Sequence, residues 1–433
     1  MSSRSRSASY QAVLRTPHAS RVFGAALLGR LSYGVAPLSL VLALTGATGS
    51  YAVAGGVMAL FALTVSVLAP VRAGLIDKYG PRRALPPMAV AYALVLACLA
   101  AGTWRPGAPG PLLGGLAMAA GVCAPPLGPV MRTVWSELLR DPALLRRGYS
   151  LDTVAEELLF VAGPLLAGLV AGFVTPPFGV VLSAGLVLAG TLAFVSAPPV
   201  RALGGSPDMP IAGSGQRSRV GFGVAQPVAA ALGIGAYLGS VELLMVAFAQ
   251  QHDHAAAVAW CSASLSAGSA FGGLVYGALP WRIPGRARLP VLVTVPALGL
   301  SLAGLSPNVQ VLAVVVGATG LFVSPALATA YLIADESAAQ GARTRAGAWV
   351  NTAVNGGSSG GTAVAGLLLG RLPLAACFAV TALPVLSAGE TVLILHISTT
   401  VRRRGSRPAE AHHPARAREP GGGRRPGSPR PRR

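Results

Sequence analysis

Residues 149–198 read YSLDTVAEELLFVAGPLLAGLVAGFVTPPFGVVLSAGLVLAGTLAFVSAP. The only charges in this stretch are Asp152, Glu156 and Glu157, all near its start. A helix that crosses a bilayer needs roughly 20 mostly apolar residues, so the stretch is long enough for two crossings. Thr175-Pro176-Pro177 marks the turn between them, because proline lacks the amide hydrogen of the helical ladder and its ring collides with the preceding turn. The apolar runs are continuous and do not alternate with polar residues. They therefore predict helices rather than a membrane barrel.

The same pattern continues in both directions along the chain. Spans are expected near 22–46, 51–71, 85–103, 110–130, 149–174, 177–198, 223–250, 255–279, 289–305, 309–333, 346–370 and 373–397. The 433 residues are 53% hydrophobic and 11% charged, whereas a soluble domain carries roughly 25% charged residues. Cys98, Cys123, Cys261 and Cys377 are far apart and lie in apolar runs, so they read as small buried hydrophobes and not as a disulfide frame or metal site. Lys78 is the only lysine beside 33 arginines, a bias that points to a GC-rich genome. The first apolar run has no convincing cleavage site and reads as a first membrane helix rather than a removed leader.

The net charge of +20 invites a nucleic-acid reading, but its distribution argues for a membrane surface. With the amino terminus inside, almost all cations fall on inner segments or in the basic tail. The outer loops hold Arg105 and Arg371, and Arg30 lies within a span. That asymmetry predicts cytoplasmic termini. The domain plan is an amino-terminal tail 1–20, a six-helix half 21–198, a linker 199–222, a second half 223–397 and an Arg/Pro/Gly-rich tail 398–433 expected to be disordered. A shift of 198 residues lays the fifth span on the eleventh. Arg147 meets Arg345, Gly163 meets Gly361 and Ala167-Gly168 meets Ala365-Gly366. Parallel repeats of this kind build alternating-access transporters.

The loop after the second span runs Ala73-Gly74-Leu75-Ile76-Asp77-Lys78-Tyr79-Gly80-Pro81-Arg82-Arg83-Ala84-Leu85. It resembles the signature loop of the major facilitator superfamily, with Leu75, Asp77, Lys78, Gly80, Arg82 and Leu85 in place. Ala73 stands where the family has glycine and Pro81 where it has a cation. A degenerate second copy holds Gly277, Arg282, Gly285 and Arg286, with Trp281 in place of the acid. The resemblance implies an all-α membrane protein of twelve helices in two six-helix halves, in the bacterial plasma membrane, acting as a monomer on a small-molecule substrate. It implies a gate in which Asp77 offers its carboxylate to the start of the eleventh helix, where free amides and the helix dipole favour an anion. Arg82 and Arg83 then pair with Glu137 and Asp141.

Ionisable groups inside spans are costly and are functional candidates for that reason. Arg30 in the first span and Glu156 and Glu157 in the fifth share a depth of roughly 12–14 Å from the inner side at 1.5 Å per residue. The resemblance places those two helices side by side. Adjacent residues diverge by about 100° on a helix, so one glutamate is expected to pair with Arg30 while the other exchanges protons; a static pair that fixes packing is the alternative. Glu242 in the seventh span and Asn351 and Asn355 in the eleventh are candidate cavity residues. Glu390 in the twelfth is a weaker one.

Gly163-Pro164-Leu165-Leu166-Ala167-Gly168 is similar to the core of the motif that marks drug–proton antiporters, with Ala167 for one glycine, so Gly163, Pro164 and Gly168 form a candidate packing motif. The leading expectation is proton-coupled export of a small amphipathic or cationic compound. Proton-coupled uptake of a sugar or amino acid and a non-transporting receptor remain the alternatives. No nucleotide-binding loop, metal cluster or nucleophile–base set marks an enzyme or a cofactor. His252-Asp253-His254 is too isolated to predict a metal site, and no nucleic-acid partner is expected.

Overall fold

The computed structural model describes residues 9–205, 222–252, 257–339 and 341–405. Those residues are almost wholly helical. Eleven helices among them are long and apolar enough to cross a membrane. The first six are Ala19–Thr48, Tyr51–Tyr79, Pro81–Gly102, Gly110–Leu138, Pro142–Phe173 and Pro176–Ser196. The others are Gly223–Gln251, Ala257–Ala278, Gly285–Ala303, Val309–Ser337 and Leu374–Ser398. The remaining long helix, Arg343–Leu368, supplies the eleventh of twelve spans in chain order. It is too polar to stand among the apolar helices. It lies between the seventh and second spans, so its small polar face meets protein. The twelve spans run alternately up and down, so the helix Tyr10–Arg15 and the end of the last helix at Gly405 lie at one end of the bundle, the terminal end.

Several boundaries differ from the sequence reading. The stretch before the first span contains a short helix, Tyr10–Arg15, in which Ser9 caps the amide of Ala12 and Val13 is fully buried. The last helix continues to Gly405, past the tail boundary at 398, because no proline or glycine interrupts Ile397–Arg404. The fifth span starts seven residues earlier than expected, at Pro142, with Asp141 as its cap. The linker begins with a short helix, Pro198–Ala202, and its residues 206–221 lie outside the described set, as does the tail beyond Gly405. Cys98 is exposed rather than buried, since it faces outward from the third span.

The fourth and tenth spans are each broken near their middle. The fourth stops at Cys123 and resumes at Leu127; the tenth stops at Gly320 and resumes at Val323. A shift of 198 residues brings the two breaks together. The glycines of the repeat also occupy matching places. A Cβ on Gly163 would strike Gly34 of the first span, and one on Gly361 would strike Ala236 of the seventh. Each half thus packs its fifth helix on its first through small residues that let backbones touch, the usual means of helix association in lipid.

Prolines inside these spans leave a carbonyl four residues back without its amide donor, and side chains take up several of them. Pro125 frees the Gly121 carbonyl, which accepts from Arg72. The Pro125 carbonyl, in the break itself, accepts the Leu127 amide at 2.9 Å and the Tyr33 hydroxyl. In the second half Pro227 frees Gly223, which accepts from Arg286 at 3.2 Å, and Pro290 frees Arg286, which accepts from Gln226 at 3.0 Å. In the second span Pro70 frees the carbonyl of Ser66, which accepts from Thr352 of the eleventh span at 3.0 Å. That last bond joins the two halves.

The halves meet at the terminal end and part towards the other. In the second span only Ala54 and Val57 are buried between Tyr51 and Leu68, whereas seven residues from Ala69 to Asp77 are. The fifth span buries a continuous face from Gly148 to Ala155 but only Gly163 and Ala167 beyond Leu158. The eighth buries Cys261 alone before Ser269, then Gly272, Gly273, Tyr276 and Gly277. This is the geometry of a cleft that opens away from the termini.

Candidate functional site

The closed end is built around Asp77. Its carboxylate accepts the amide of Thr344 at 3.2 Å and that of Arg345 at 2.9 Å. These amides belong to the first turn of the eleventh span, where no carbonyl precedes them and the helix dipole favours an anion. Gly80 ends the second span at φ 80°, a conformation open to glycine, and lies against the linker at Leu203 and Gly205. The ammonium of Lys78 sits 5.6 Å from the ring centre of Tyr79.

Arg82 and Arg83 do not pair with Glu137 and Asp141. Both arginines are exposed in the first turn of the third span. Glu137 instead accepts from Arg343 of the other half at 2.8 Å, because the end of the fourth span faces the tenth and eleventh rather than the third. Asp141 caps its own helix through the amide of Ala143 at 2.8 Å. Thr133 and Thr344 meet at 3.3 Å across the same seam, and Arg343 also lies 3.8 Å from Asp335.

Deeper in the bundle, four charges from three spans form one neutral cluster. Arg30 of the first span contacts Asp152 at 2.8 Å and Glu156 at 3.1 Å. Arg132 of the fourth span approaches Asp152 at 3.0 Å and donates to Glu156. Each carboxylate is thus shared by two guanidiniums, and Arg30, Arg132 and Asp152 are almost fully buried. Arg132 and Asp152 correct the sequence reading, which placed the former in a loop and the latter near the boundary. The fourth span continues after its break to Leu138, which carries Arg132 inside. The early start of the fifth span carries Asp152 inward with it. Asp152 is one turn before Glu156, so a helical period of four was the available signal.

The second glutamate points elsewhere. Glu157 accepts from Ser269 of the eighth span at 2.9 Å, and among the described residues no arginine pairs with it. The guanidinium of Arg132 lies 3.5 Å over the ring of Tyr331 in the tenth span, and the Tyr331 hydroxyl donates to Asn351 at 3.4 Å. The cluster in one half therefore reaches the eleventh span of the other through a single aromatic residue. Asn355 is half-buried one turn beyond Asn351. Glu242 is exposed on the seventh span, one turn past the contact of Gly239 with Ser358.

Of the proposed packing motif, only Gly163 makes a close contact. Pro164 and Gly168 are exposed, and nothing lies within 4 Å of a Cβ on Gly168. They sit on the sides of the fifth span turned away from the first, where the halves diverge. Arg72 is buried with no carboxylate beside it; it serves the carbonyls of Gly121 and Val65. At the tip of the bundle, Tyr10 donates to the Leu274 carbonyl of the eighth span, and burial pushes its phenol up to about 12. Asp253 and His254 lie outside the described residues, and no group of three His, Cys, Asp or Glu among the described residues is placed to hold a metal ion.

No protein-family model matches this chain, and no curated protein matches its sequence significantly. Solved structures do match in fold. A bacterial homologue of the iron transporter ferroportin in an outward-facing state superposes with a TM-score of 0.69 at 12% identity, over 88% of this chain and 99% of that one. The same homologue soaked with iron gives 0.68 at 11%. The human organic anion transporter TETRAN gives 0.63 at 16%, again over 88% of this chain and 99% of its own. At these identities the likeness is one of fold. The chain shares with these proteins an all-α fold of twelve helices in two six-helix halves.

Proposed function

We propose that the chain is a secondary active transporter that works by alternating access, with the terminal end in the cytoplasm. The carrying observation is the gradient of contact along the seam: the halves are joined at one end by Asp77, Arg343 and Thr352 and separated at the other. A cleft open on one side and latched on the other is one of the two states that alternating access requires. The basic loops at the latched end support its cytoplasmic placement.

Proton coupling is assigned to Glu157. Glu156 is held between two arginines, Arg30 and Arg132. Glu157 has one neutral donor, Ser269, and that donor belongs to the opposite half. When the halves part at this end, Glu157 loses its partner and gains access to the cytoplasm, so its proton affinity changes with the transport cycle. The substrate is proposed to be a small amphipathic or cationic compound bound in the cleft near Glu242, Asn351 and Asn355, with export as the direction, in keeping with the resemblance of the Gly163-Pro164 segment to the antiporter motif.

The test is flux in proteoliposomes with and without an imposed pH gradient, read first with a panel of fluorescent amphipathic cations. Glu157→Gln is expected to fold and bind substrate yet lose the response to the gradient. Gradient-driven flux at the wild-type rate in Glu157→Gln would remove the assignment.

A further inference from the structure

The loop between the eighth and ninth spans is a degenerate copy of the loop between the second and third, with one extra residue before Gly285 and no acid. Trp281 stands where the first copy has Asp77, while Gly277, Arg282, Gly285 and Arg286 keep the pattern. In the first copy the acid answers the start of the eleventh span. The helix start that corresponds in the repeat is that of the fifth span, where Arg146 and Arg147 lie.

Arg286 of this loop faces Glu336 and donates to Gln226 at 3.1 Å, but its basic neighbours Arg146, Arg147, Arg282 and Arg288 are placed differently. Arg147 turns to the Ala278 carbonyl at 2.9 Å. The guanidinium of Arg288 lies 5.0 Å from the ring centre of Tyr276 and 4.7 Å from that of Trp281. Its Nε and Nη1, and the Nε of Arg146, are buried without a hydrogen-bond partner. Arg146 is near enough to Arg288 for their charges to repel. Among the described residues none of Arg146, Arg147, Arg282 and Arg288 makes an ion pair. Asp141 is spent on the Ala143 amide a turn before Arg146. Leu279, Trp281 and Ile283 stand exposed beside these cations, at 44%, 37% and 55%.

We propose that Arg146 and Arg288, with Trp281, bind the phosphate of an anionic membrane lipid at the junction of the two halves, in the role that Asp77 fills in the first copy. The chemistry fits each part. Two guanidiniums from different halves supply donors and charge for a phosphate. An indole at the headgroup level and exposed aliphatic side chains next to it suit the glycerol and upper acyl region. Basic recesses between spans at the inner face are where anionic headgroups lodge. A lipid seated there joins the amino-terminal half to the carboxy-terminal half and favours the state closed at this end.

The experiment uses the full chain purified in mild detergent, with native mass spectrometry to follow retention of added phosphatidylglycerol against phosphatidylcholine. Wild type is expected to keep phosphatidylglycerol selectively, and the double variant Arg146→Gln/Arg288→Gln to lose about tenfold or more of that retention, from roughly 1 kcal/mol per cation. Arg83→Gln, an exposed arginine at the first copy, is the control and should retain lipid as wild type does. Arg288→Lys should recover part of the retention, and thermal unfolding of each variant in detergent shows whether it is folded. Equal retention by the folded double variant, or an equal loss in Arg83→Gln, overturns the proposal. Displacement of the lipid by millimolar inorganic phosphate overturns it too, since the site would then serve a free anion.

Discussion

Asp152 shows how one residue decides the chemistry of a buried cluster. It is fully buried, and it touches both Arg30 and Arg132. Glu156 touches the same two cations from one turn further on. Removing one carboxylate leaves two guanidiniums to share a single anion in a medium of low dielectric. Breaking a buried pair from one side costs about 3–5 kcal/mol. Asp152→Asn is therefore expected to lower the yield of folded protein and the unfolding temperature, and Arg30→Gln to do the same. The double variant Asp152→Asn/Arg30→Gln restores neutrality and should be less destabilised than the sum of the two. Thermal unfolding of the four proteins in detergent checks this, and strict additivity would show that the residues do not act as one cluster. Glu157→Gln belongs to a different class, since its partner is a hydroxyl and no cation is orphaned by its loss.

At the scale of elements, prolines inside helices shape the seam. Pro70 deprives the Ser66 carbonyl of its donor within the second span, and Thr352 of the eleventh provides one. A carbonyl in the bilayer core has no water to turn to, so the closed state satisfies a group that separation of these spans would leave bare. Thr352→Val keeps the side-chain shape and removes the donor, at a cost of about 0.5–1.5 kcal/mol to the joined state. The expected result is a several-fold shift towards opening at the terminal end, seen as faster labelling of a cysteine placed at Thr133. Thr352→Ser should label as wild type does. Asp77→Asn should move labelling in the same direction, because it weakens the hold on the first turn of the eleventh span. Unchanged labelling in Thr352→Val would reduce this bond to a packing detail.

The whole molecule is a pair of six-helix bodies whose terminal end carries the basic loops. Reporter fusions at Gly204 and Gly405 are expected to signal inside, and a fusion at Arg105 outside. An outside signal at Gly204 would invert the orientation and with it the side on which the cleft opens. The same plan predicts that the cleft-facing parts of the second, fifth and eighth spans react with membrane-impermeant thiol reagents from outside when single cysteines are placed there.

Sequence alone determined the number of the spans, because each crossing has to cover the same apolar thickness with one continuous run. The helix start that Asp77 meets was legible through the resemblance of its loop to a known signature motif, and the amides of Thr344 and Arg345 are where that resemblance put them. The eleventh span was legible only by its position in the series, as its Asn and Ser residues and glycines hide it from any measure of hydropathy. The partners of the buried charges came from the tertiary structure. Arg30 could be matched to the fifth span by depth, yet the choice among Asp152, Glu156 and Glu157 depended on helical phase and on where that helix began. Arg132 and Tyr331 entered the cluster through breaks in the fourth and tenth spans. Contacts of that kind join residues nearly two hundred positions apart, and only the packed bundle fixes which side chains share a level and a face.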